Sequence, residues 1–167
     1  MVMNSKKERE IYLAGGCFWG MQAFFDQLDG ILSSAVGYAN GNKQDPTYEE
    51  VCSQTTGFAE TLRLVYDGEK ISLDKLLEYF FMVIDPCSLN KQGEDKGDQY
   101  RSGIYYTDPT DKAIIEAHIA KIAPAYELPI VTEVMTLINF YPAEEYHQNY
   151  LIKNPQGYCH IDLNLLK

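Results

Sequence analysis

The stretch Ala14-Gly15-Gly16-Cys17-Phe18-Trp19-Gly20 constrains the fold most. It sits where one hydrophobic period gives way to another. Ile11 to Ala14 is a short apolar run that reads as a buried strand. Phe18 to Leu28 carries apolar residues at Met21, Phe24, Phe25 and Leu28, the spacing of a helix with one buried side. Gly15 and Gly16 permit the tight turn between them. Cys17 then falls in the first helical turn, near the positive end of the helix. A free thiol titrates near about 8.5, and a helix start lowers that to roughly 7 or below. The thiolate fraction at neutral pH would rise about tenfold, to roughly half. Phe18 and Trp19 would wall a pocket for a small apolar group. The same position also suits an inert buried cysteine.

The 167 residues suit one domain with a sizeable core, taken as residues 1–167, with an irregular C-terminal tail over about 152–167. Hydrophobic residues make up 46%, which argues against disorder, and the net charge is −10. No basic patch stands out, so nucleic acid is not an expected partner. Met1 to Glu10 is charged and lacks an apolar signal core, and no run is long enough to span a membrane. The expectation is a soluble, cytoplasmic monomer. Cys17, Cys52, Cys87 and Cys159 include no Cys-x-x-Cys pair, so neither a zinc ribbon nor a thioredoxin-type site is expected. Widely spaced cysteines in such a chain are core residues or redox catalysts rather than staples.

Along the chain, Ile31 to Tyr38 reads as a second strand. A turn-rich loop, 40–46, leads to a short helix over Thr47–Cys52. Ala59 to Asp67 alternates, with Leu62, Leu64 and Tyr66 on one face, as a strand does. Ser72 caps a helix carrying Leu73, Leu76, Leu77, Phe80, Phe81 and Ile84, and Pro86 ends it. Cys87 to Arg101 is a long polar loop, a length that is usually functional or disordered. Ser102 to Thr107 is a fourth strand, and Asp108-Pro109 opens a helix through Ile122. Ile130 to Ile138 reads as a fifth strand, Ala143 to Leu151 as a short helix, and the end from Asn154 as irregular and mobile. Strand, helix, strand, strand, helix, strand is the split βαβ order. The expected architecture is therefore α+β, a two-layer sandwich with a ferredoxin-like core.

Several residues are candidate partners for Cys17. Glu60, between Ala59 and Thr61 at a strand start, has apolar neighbours; burial would raise its pKa and keep it protonated, though a strand-end carboxylate is more often solvated. Tyr48 and Tyr100 lie in turn-rich segments and can offer hydroxyl donors; taken singly, each is as readily a packing residue. Asp95 lies in the polar loop, where a solvated carboxylate is the default. His147, among tyrosines, reads as a hydrogen-bonded structural residue. His160 adjoins Cys159, where it would lower that thiol's pKa. Cys159, His160 and His147 lack recognised zinc spacing, and no metal site is expected.

Six blocks resemble the methionine sulfoxide reductase A family in order: Gly16-Cys17-Phe18-Trp19-Gly20; Val36-Gly37-Tyr38-Ala39; Pro46 to Cys52; Gly57 with Ala59-Glu60; Gln92-Gly93 with Asp95, then Gly97 with Gln99-Tyr100-Arg101-Ser102; and Ala143-Glu144 with Tyr146-His147-Gln148. They run from about residue 11 to residue 160. The resemblance implies reduction of the S epimer of methionine sulfoxide, free or within oxidised proteins, and hence protein repair under oxidative stress. It implies Cys17 as the nucleophile that attacks the sulfoxide sulfur, Glu60 as proton donor to the sulfoxide oxygen, and Tyr48 and Tyr100 as hydrogen-bond donors to it. Phe18 and Trp19 would hold the S-methyl group, and Asp95 would line the site. No bound cofactor is implied. The oxidised Cys17, at the sulfenic acid level, would condense with a second thiol, taken as Cys159, and an external thiol reductant, thioredoxin or dithiothreitol, would restore both.

Two positions depart from the family pattern. Cys87 follows Asp85-Pro86 where threonine or a similar residue is expected, and is a candidate alternative resolving thiol. Phe58 stands where histidine usually precedes Ala-Glu; if it points inward, the surroundings of Glu60 become more apolar. Cys52 reads as structural. The sequence ends soon after Cys159, so a three-cysteine relay is not expected unless Cys87 serves. Competing readings are a thiol peroxidase or redox sensor using Cys17 and Cys159, and a non-enzymatic module that captures methionine-like side chains.

Overall fold

The computed structural model describes residues 8–166, so the first seven residues of the charged start lie outside the described residues. The chain forms a mixed α/β fold around a six-stranded, mostly antiparallel sheet. Its strands are β1 (Glu8–Gly15), β2 (Ile31–Ala39), β3 (Ala59–Asp67), β6 (Ser102–Tyr106), β7 (Glu133–Thr136) and β8 (Phe140–Pro142), in the order β7-β6-β1-β3-β2-β8. Only β6 and β7 run parallel. The main helices are α1 (Phe18–Phe25), α3 (Leu73–Val83) and α4 (Pro109–Ile122).

The two-residue period of β1 sorts its side chains. Ile11 and Leu13 join Leu62, Leu64 and Tyr66 of β3 and Ile104 of β6 in the main core, with Phe24, Phe25, Leu76, Leu77, Phe80 and Ile115 from the helices. Tyr12 and Ala14 face the other way, with Ala39, Ala59 and Tyr105, under Met135, Leu137 and Phe140. Burial on both faces explains why Ile11 to Ala14 reads as continuous rather than alternating apolar sequence. The α3 cap is as read: Ser72 Oγ accepts from Lys75 N. Asp108 caps α4 with Pro109 at its first turn.

Four readings need correction. The helix expected over Phe18–Leu28 ends at Phe25, with Asp26 as its C-cap. The strand expected over Ile130–Ile138 is shorter, Glu133–Thr136, and a second strand, Phe140–Pro142, follows it. Glu133–Thr136 pairs with β6 at one edge, and Phe140–Pro142 pairs with β2 at the opposite edge. The chain between crosses the second face of the sheet, so it can pair only at its ends. Asn40 holds the crossing, its Oδ1 accepting from Ile138 N at 2.7 Å. The helix expected over Ala143–Leu151 is a 3₁₀ turn, Glu145–His147, followed by α5 (Tyr150–Lys153). Asn149 between them is left-handed (φ 54°), and tertiary hydrogen bonds replace helical ones: Gln148 bonds Val36 N and O, and Asn149 N donates to Gln22 Oε1. The polar loop is folded too. It holds a small hairpin, β4 (Lys91–Gln92) and β5 (Asp95–Lys96), and a 3₁₀ turn, Asp98–Tyr100. Among the described residues no helix is long and apolar enough to cross a membrane.

Candidate active site

Cys17 is the N-cap of α1 rather than a residue of its first turn, and Gly16 makes the preceding turn at φ +84°. A side chain at Gly16 would meet Gln92 Cβ at 2.7 Å and His160 Nε2 at 3.0 Å. Glycine is therefore required both by the turn and by what closes over it. The helix start points inward, and Cys17 is 7% exposed. Burial, followed by the charge of Glu60, pushes its thiol up. The expected lowering by the helix start is overturned: an N–H donor at Trp19 pulls the other way and loses. Burial of a full charge shifts a pKa by up to about 3–5 units, whereas a helix end is worth only about 0.3–1 kcal/mol in exposed settings.

Glu60, in β3, is 1% exposed. The backbone N–H of Phe18 donates to its Oε1 at 3.2 Å, which answers one of the orphan donors of the α1 start. Its Oε2 is buried with no protein partner. Burial pushes the carboxyl up to about 8, with Asp95 adding to it and the Phe18 N–H opposing. The carboxyl is thus neutral at pH 7, with Oε2 the oxygen placed to carry the proton.

Tyr48 opens α2 (Tyr48–Cys52), whose start is fixed by a capping box between Thr47 and Glu50. Tyr100 ends the 3₁₀ turn beside the small hairpin. Both hydroxyls are pushed up by burial and then by the charge of Glu60, so both remain donors. Asp95, in β5, is pushed up by burial, and its Oδ2 is buried without a partner. Its charge acts on Cys17, Glu60 and Tyr100. Cys17, Glu60, Tyr48, Tyr100 and Asp95, spread over 84 positions of sequence, are therefore linked into one electrostatic cluster through Glu60 and Tyr100.

Two aromatics flank the thiol. Phe18 is buried against Tyr38 and His147, with ring centroids at 5.8 and 5.3 Å. Trp19 stacks on Tyr150 at 3.8 Å, and its indole N–H donates to His147 Nδ1 at 3.0 Å.

The C-terminal tail is irregular, as read, but it is seated on the site. Cys159 Sγ lies against α1: a side chain at Gly20 would meet it at 2.8 Å. The Cys159 thiol donates to Ile161 O at 3.2 Å and is pushed up by burial. Cys159 is also among the groups whose charge acts on Cys17. His160 does not act as an activating cation for Cys159. Burial pushes its imidazole down, and its Nε2 donates to Gly15 O at 2.9 Å. All four cysteines are free thiols.

The other singled-out residues fall elsewhere. Cys87 donates to Leu128 O at 3.2 Å, in a shallow groove with Asp85, Ser88, Tyr126 and Glu127. Phe58 is buried, with its ring edge-on to Tyr141 and packed over Gly41. Cys52 is half-buried near Tyr48 and Glu60, its thiol pushed up by burial. Among the described residues no group of three or more His, Cys, Asp or Glu side chains is arranged to hold a metal.

Four supporting residues had no role assigned from sequence. Glu144 accepts from the Tyr38 hydroxyl at 2.8 Å and from Tyr48 N at 3.0 Å, tying α2 to β2. Gln92 clasps Asp85 through both its backbone groups. Arg101 binds Glu133, Asp98 O and Gly57 O, joining the turn of Tyr100 to the turn before Glu60. Gln148 fixes the turn that carries His147. All four lie in the family-like blocks, which was the available signal, but their bonds reach across as many as 112 positions of sequence.

A buried thiol beside a neutral carboxyl and two phenol donors is the equipment of a thiol-dependent reductase that removes oxygen from its substrate. Comparison with known proteins agrees. The family model for peptide methionine sulfoxide reductase matches residues 9–167. The peptide methionine sulfoxide reductase MsrA of Clostridium acetobutylicum is 53% identical over 159 residues, covering 95% of this chain and 98% of that protein. The crystal structure of Mxr1 from Saccharomyces cerevisiae in reduced form superposes with a TM-score of 0.89 at 40% identity, covering 95% of this chain and 92% of that one. Mxr1 in complex with Trx2 superposes at 0.65 with 29% identity, covering 90% and 89%. The chain belongs to the peptide methionine sulfoxide reductase family and is an oxidoreductase.

Proposed function

We propose that this methionine sulfoxide reductase acts on the S epimer, free or within oxidised proteins, with the roles divided as follows. Cys17 attacks the sulfoxide sulfur. Glu60 passes its proton to the sulfoxide oxygen, which Tyr48 and Tyr100 also bond. Phe18 and Trp19 hold the S-methyl group, and Asp95 lines the site. The methyl pocket and the oxygen donors, both fixed, select the epimer. Oxygen leaves the substrate as methionine forms, and Cys17 becomes a sulfenic acid. Cys159 condenses with it, releasing water and forming a disulfide, which a dithiol protein of the thioredoxin type reduces. The existence of an Mxr1 complex with Trx2 supports that last step.

The observation that carries this reading is Glu60: a carboxyl 1% exposed, held to the N–H of the residue after Cys17, whose burial favours its neutral form. A sulfoxide oxygen is a poor leaving group until it is protonated or tightly bonded. A donor aimed at such developing charge is worth about 3 kcal/mol. No comparable acid is needed by a peroxidase, and a capture module needs no acid at all.

The strand order β6-β1-β3-β2, with α1 and α3 as crossovers, supports reading the core as a split βαβ of ferredoxin-like type. We assign residues 1–167 to one catalytic domain, with the tail from about 152 carrying the resolving thiol, acting as a cytoplasmic monomer. Incubation with both sulfoxide epimers and dithiothreitol, followed by chiral separation, is the test. Only the S epimer should disappear, and Cys17→Ser should consume neither. After one turnover without reductant, peptide mapping should find a Cys17–Cys159 disulfide. A Cys17–Cys87 bond would transfer the resolving role.

A further inference from the structure

We infer that His160 is the positioning residue that seats the resolving thiol, Cys159, beside Cys17 and so sets the rate of disulfide formation. The inference rests on the roles proposed above for Cys17 and Cys159.

After Lys153 the described tail forms neither helix nor strand. Its local hydrogen bonds close within it: Gly157 N donates to Asn154 O, the Cys159 thiol to Ile161 O, and Leu165 N to Asp162 O. Bonds of this kind shape the tail without placing it on the sheet. His160 does place it, because its Nε2 donates to Gly15 O at 2.9 Å, across 145 positions of sequence. A carbonyl oxygen only accepts, so Nε2 carries the proton and Nδ1 of the neutral ring does not. Burial holds the ring neutral, against the Gly15 bond and the charge of Asp95. Nδ1 is buried and has no protein partner. That idle acceptor costs free energy which an apolar side chain would not cost. The bond to Gly15 is what an apolar side chain could not supply.

Gly15 ends β1, and only Gly16 separates it from Cys17. The bond therefore joins the residue after one thiol to the residue two before the other. Ile161, 6% exposed, packs into the main core. Such apolar contact is non-directional and fixes the depth of the tail but not its heading. Cys159 Sγ comes to rest on α1 at Gly20, about one helical turn beyond Cys17. On the other side of Cys159 the Tyr158 hydroxyl bonds Asp95, but that contact is to the small hairpin, not to the strand leading into Cys17.

Placement matters because burial pushes the Cys159 thiol up, which leaves little thiolate to drive the step. In that step the Cys159 sulfur attacks the Cys17 sulfenic acid. An S–S bond forms, the S–O bond breaks, and the hydroxyl leaves as water with the Cys159 proton. Cys17 is reduced and Cys159 oxidised.

Single turnover of the S-sulfoxide without reductant separates the two stages. Methionine formation times the first. Peptide mapping of the Cys17–Cys159 disulfide, with dimedone trapping Cys17 as sulfenic acid, times the second. His160→Leu fills the space and loses the donor. His160→Gln keeps a nitrogen donor near the place of Nε2, and His160→Asn is too short to bring one there. We expect the Leu and Asn variants to form the disulfide about tenfold more slowly, the worth of one net hydrogen bond, and to leave more Cys17 open to trapping. Their methionine formation should stay within roughly threefold of wild type. His160→Gln should recover most of the disulfide rate. Equal disulfide rates in the Gln and Asn variants would overturn the inference, and this pair decides it even if the Leu variant does not fold. An equal slowing of methionine formation would overturn it as well, because it marks a general disturbance of the site. A failure of the underlying roles shows in the wild type, which would then form no Cys17–Cys159 disulfide at all.

Discussion

Glu60 and Glu144 are the same residue type, a short distance apart in the fold, and their surroundings send them opposite ways. Glu60 has one backbone donor, from Phe18, and sits in the core; burial prevails and pushes it up to about 8. Glu144 is also subject to burial, but the Tyr48 N–H and the Tyr38 hydroxyl outweigh it and hold its carboxyl below the usual range. One is an acid with a proton to give. The other is an anion that fastens α2 and β2 around that acid. The count of donors to the charged form, set against the loss of water, decides which a carboxyl becomes.

The sharpest break of this comparison is Glu60→Gln. It keeps an acceptor for the Phe18 N–H but loses the transferable proton, and should lower kcat by about 10²–10⁴-fold while the protein remains folded. An activity loss under tenfold would remove Glu60 from the acid role.

The two carboxyls should also leave opposite marks on stability against pH. Below about 4.5 Glu60 is protonated in both the folded and unfolded chain. Between there and about 8 the unfolded chain releases a proton that the folded chain keeps, so its contribution to stability declines as pH rises. Above about 8 the full cost of burying the anion is present, several kcal/mol at most. Thermal melts of wild type against Glu60→Gln should diverge over this window and run parallel outside it. Activity that needs the proton should fall on the same alkaline side, in a rate profile of the wild type.

Glu144→Gln removes a charge-assisted pair of bonds and should cost about 1–3 kcal/mol in denaturant unfolding, mainly above its usual carboxyl range, because a lowered pKa stabilises there and the benefit vanishes as pH falls. Turnover of the folded fraction should change far less than in Glu60→Gln. The smallest expected effect is on the pH profile of Phe58→His. The Phe58 ring meets Gly41 and Tyr141, so the substitution should move the alkaline limb by less than about one unit while lowering stability by about 1–3 kcal/mol through the buried imidazole. A larger shift of the limb would place residue 58 in the field of Glu60.

How much of this was legible beforehand depends on the range of the forces involved. The α3 and α4 boundaries follow from Ser72, Pro86 and Asp108-Pro109, because caps and proline act over three or four residues. The turn at Gly16 and the strand at Ile11 to Ala14 are equally local. Ile130–Ile138 overstates its strand because only Glu133–Thr136 pairs, with β6, whereas Leu137 packs on the second face with Tyr12 and Ala39. Ala143–Leu151 misleads because Gln148 and Asn149 spend their bonds on Val36 and Gln22. In the site, the apolar neighbours of Glu60 raised burial only as the less common alternative to a solvated carboxylate, and the fold decides for burial. The direction of the Cys17 shift was not readable, since the opposing helix end is local and the burial is not.

Taken alone, then, the order of residues determines the helices and central strands, the glycine turn that presents Cys17, and the family to which these blocks belong. The tertiary structure decides which carboxyl keeps its proton, where the chain after α4 finds its two strand partners, and that Trp19 is tethered by His147, 128 positions away. The division has one cause: propensity and capping are set by near neighbours, whereas desolvation and the supply of hydrogen-bond partners are set by whatever the fold brings alongside.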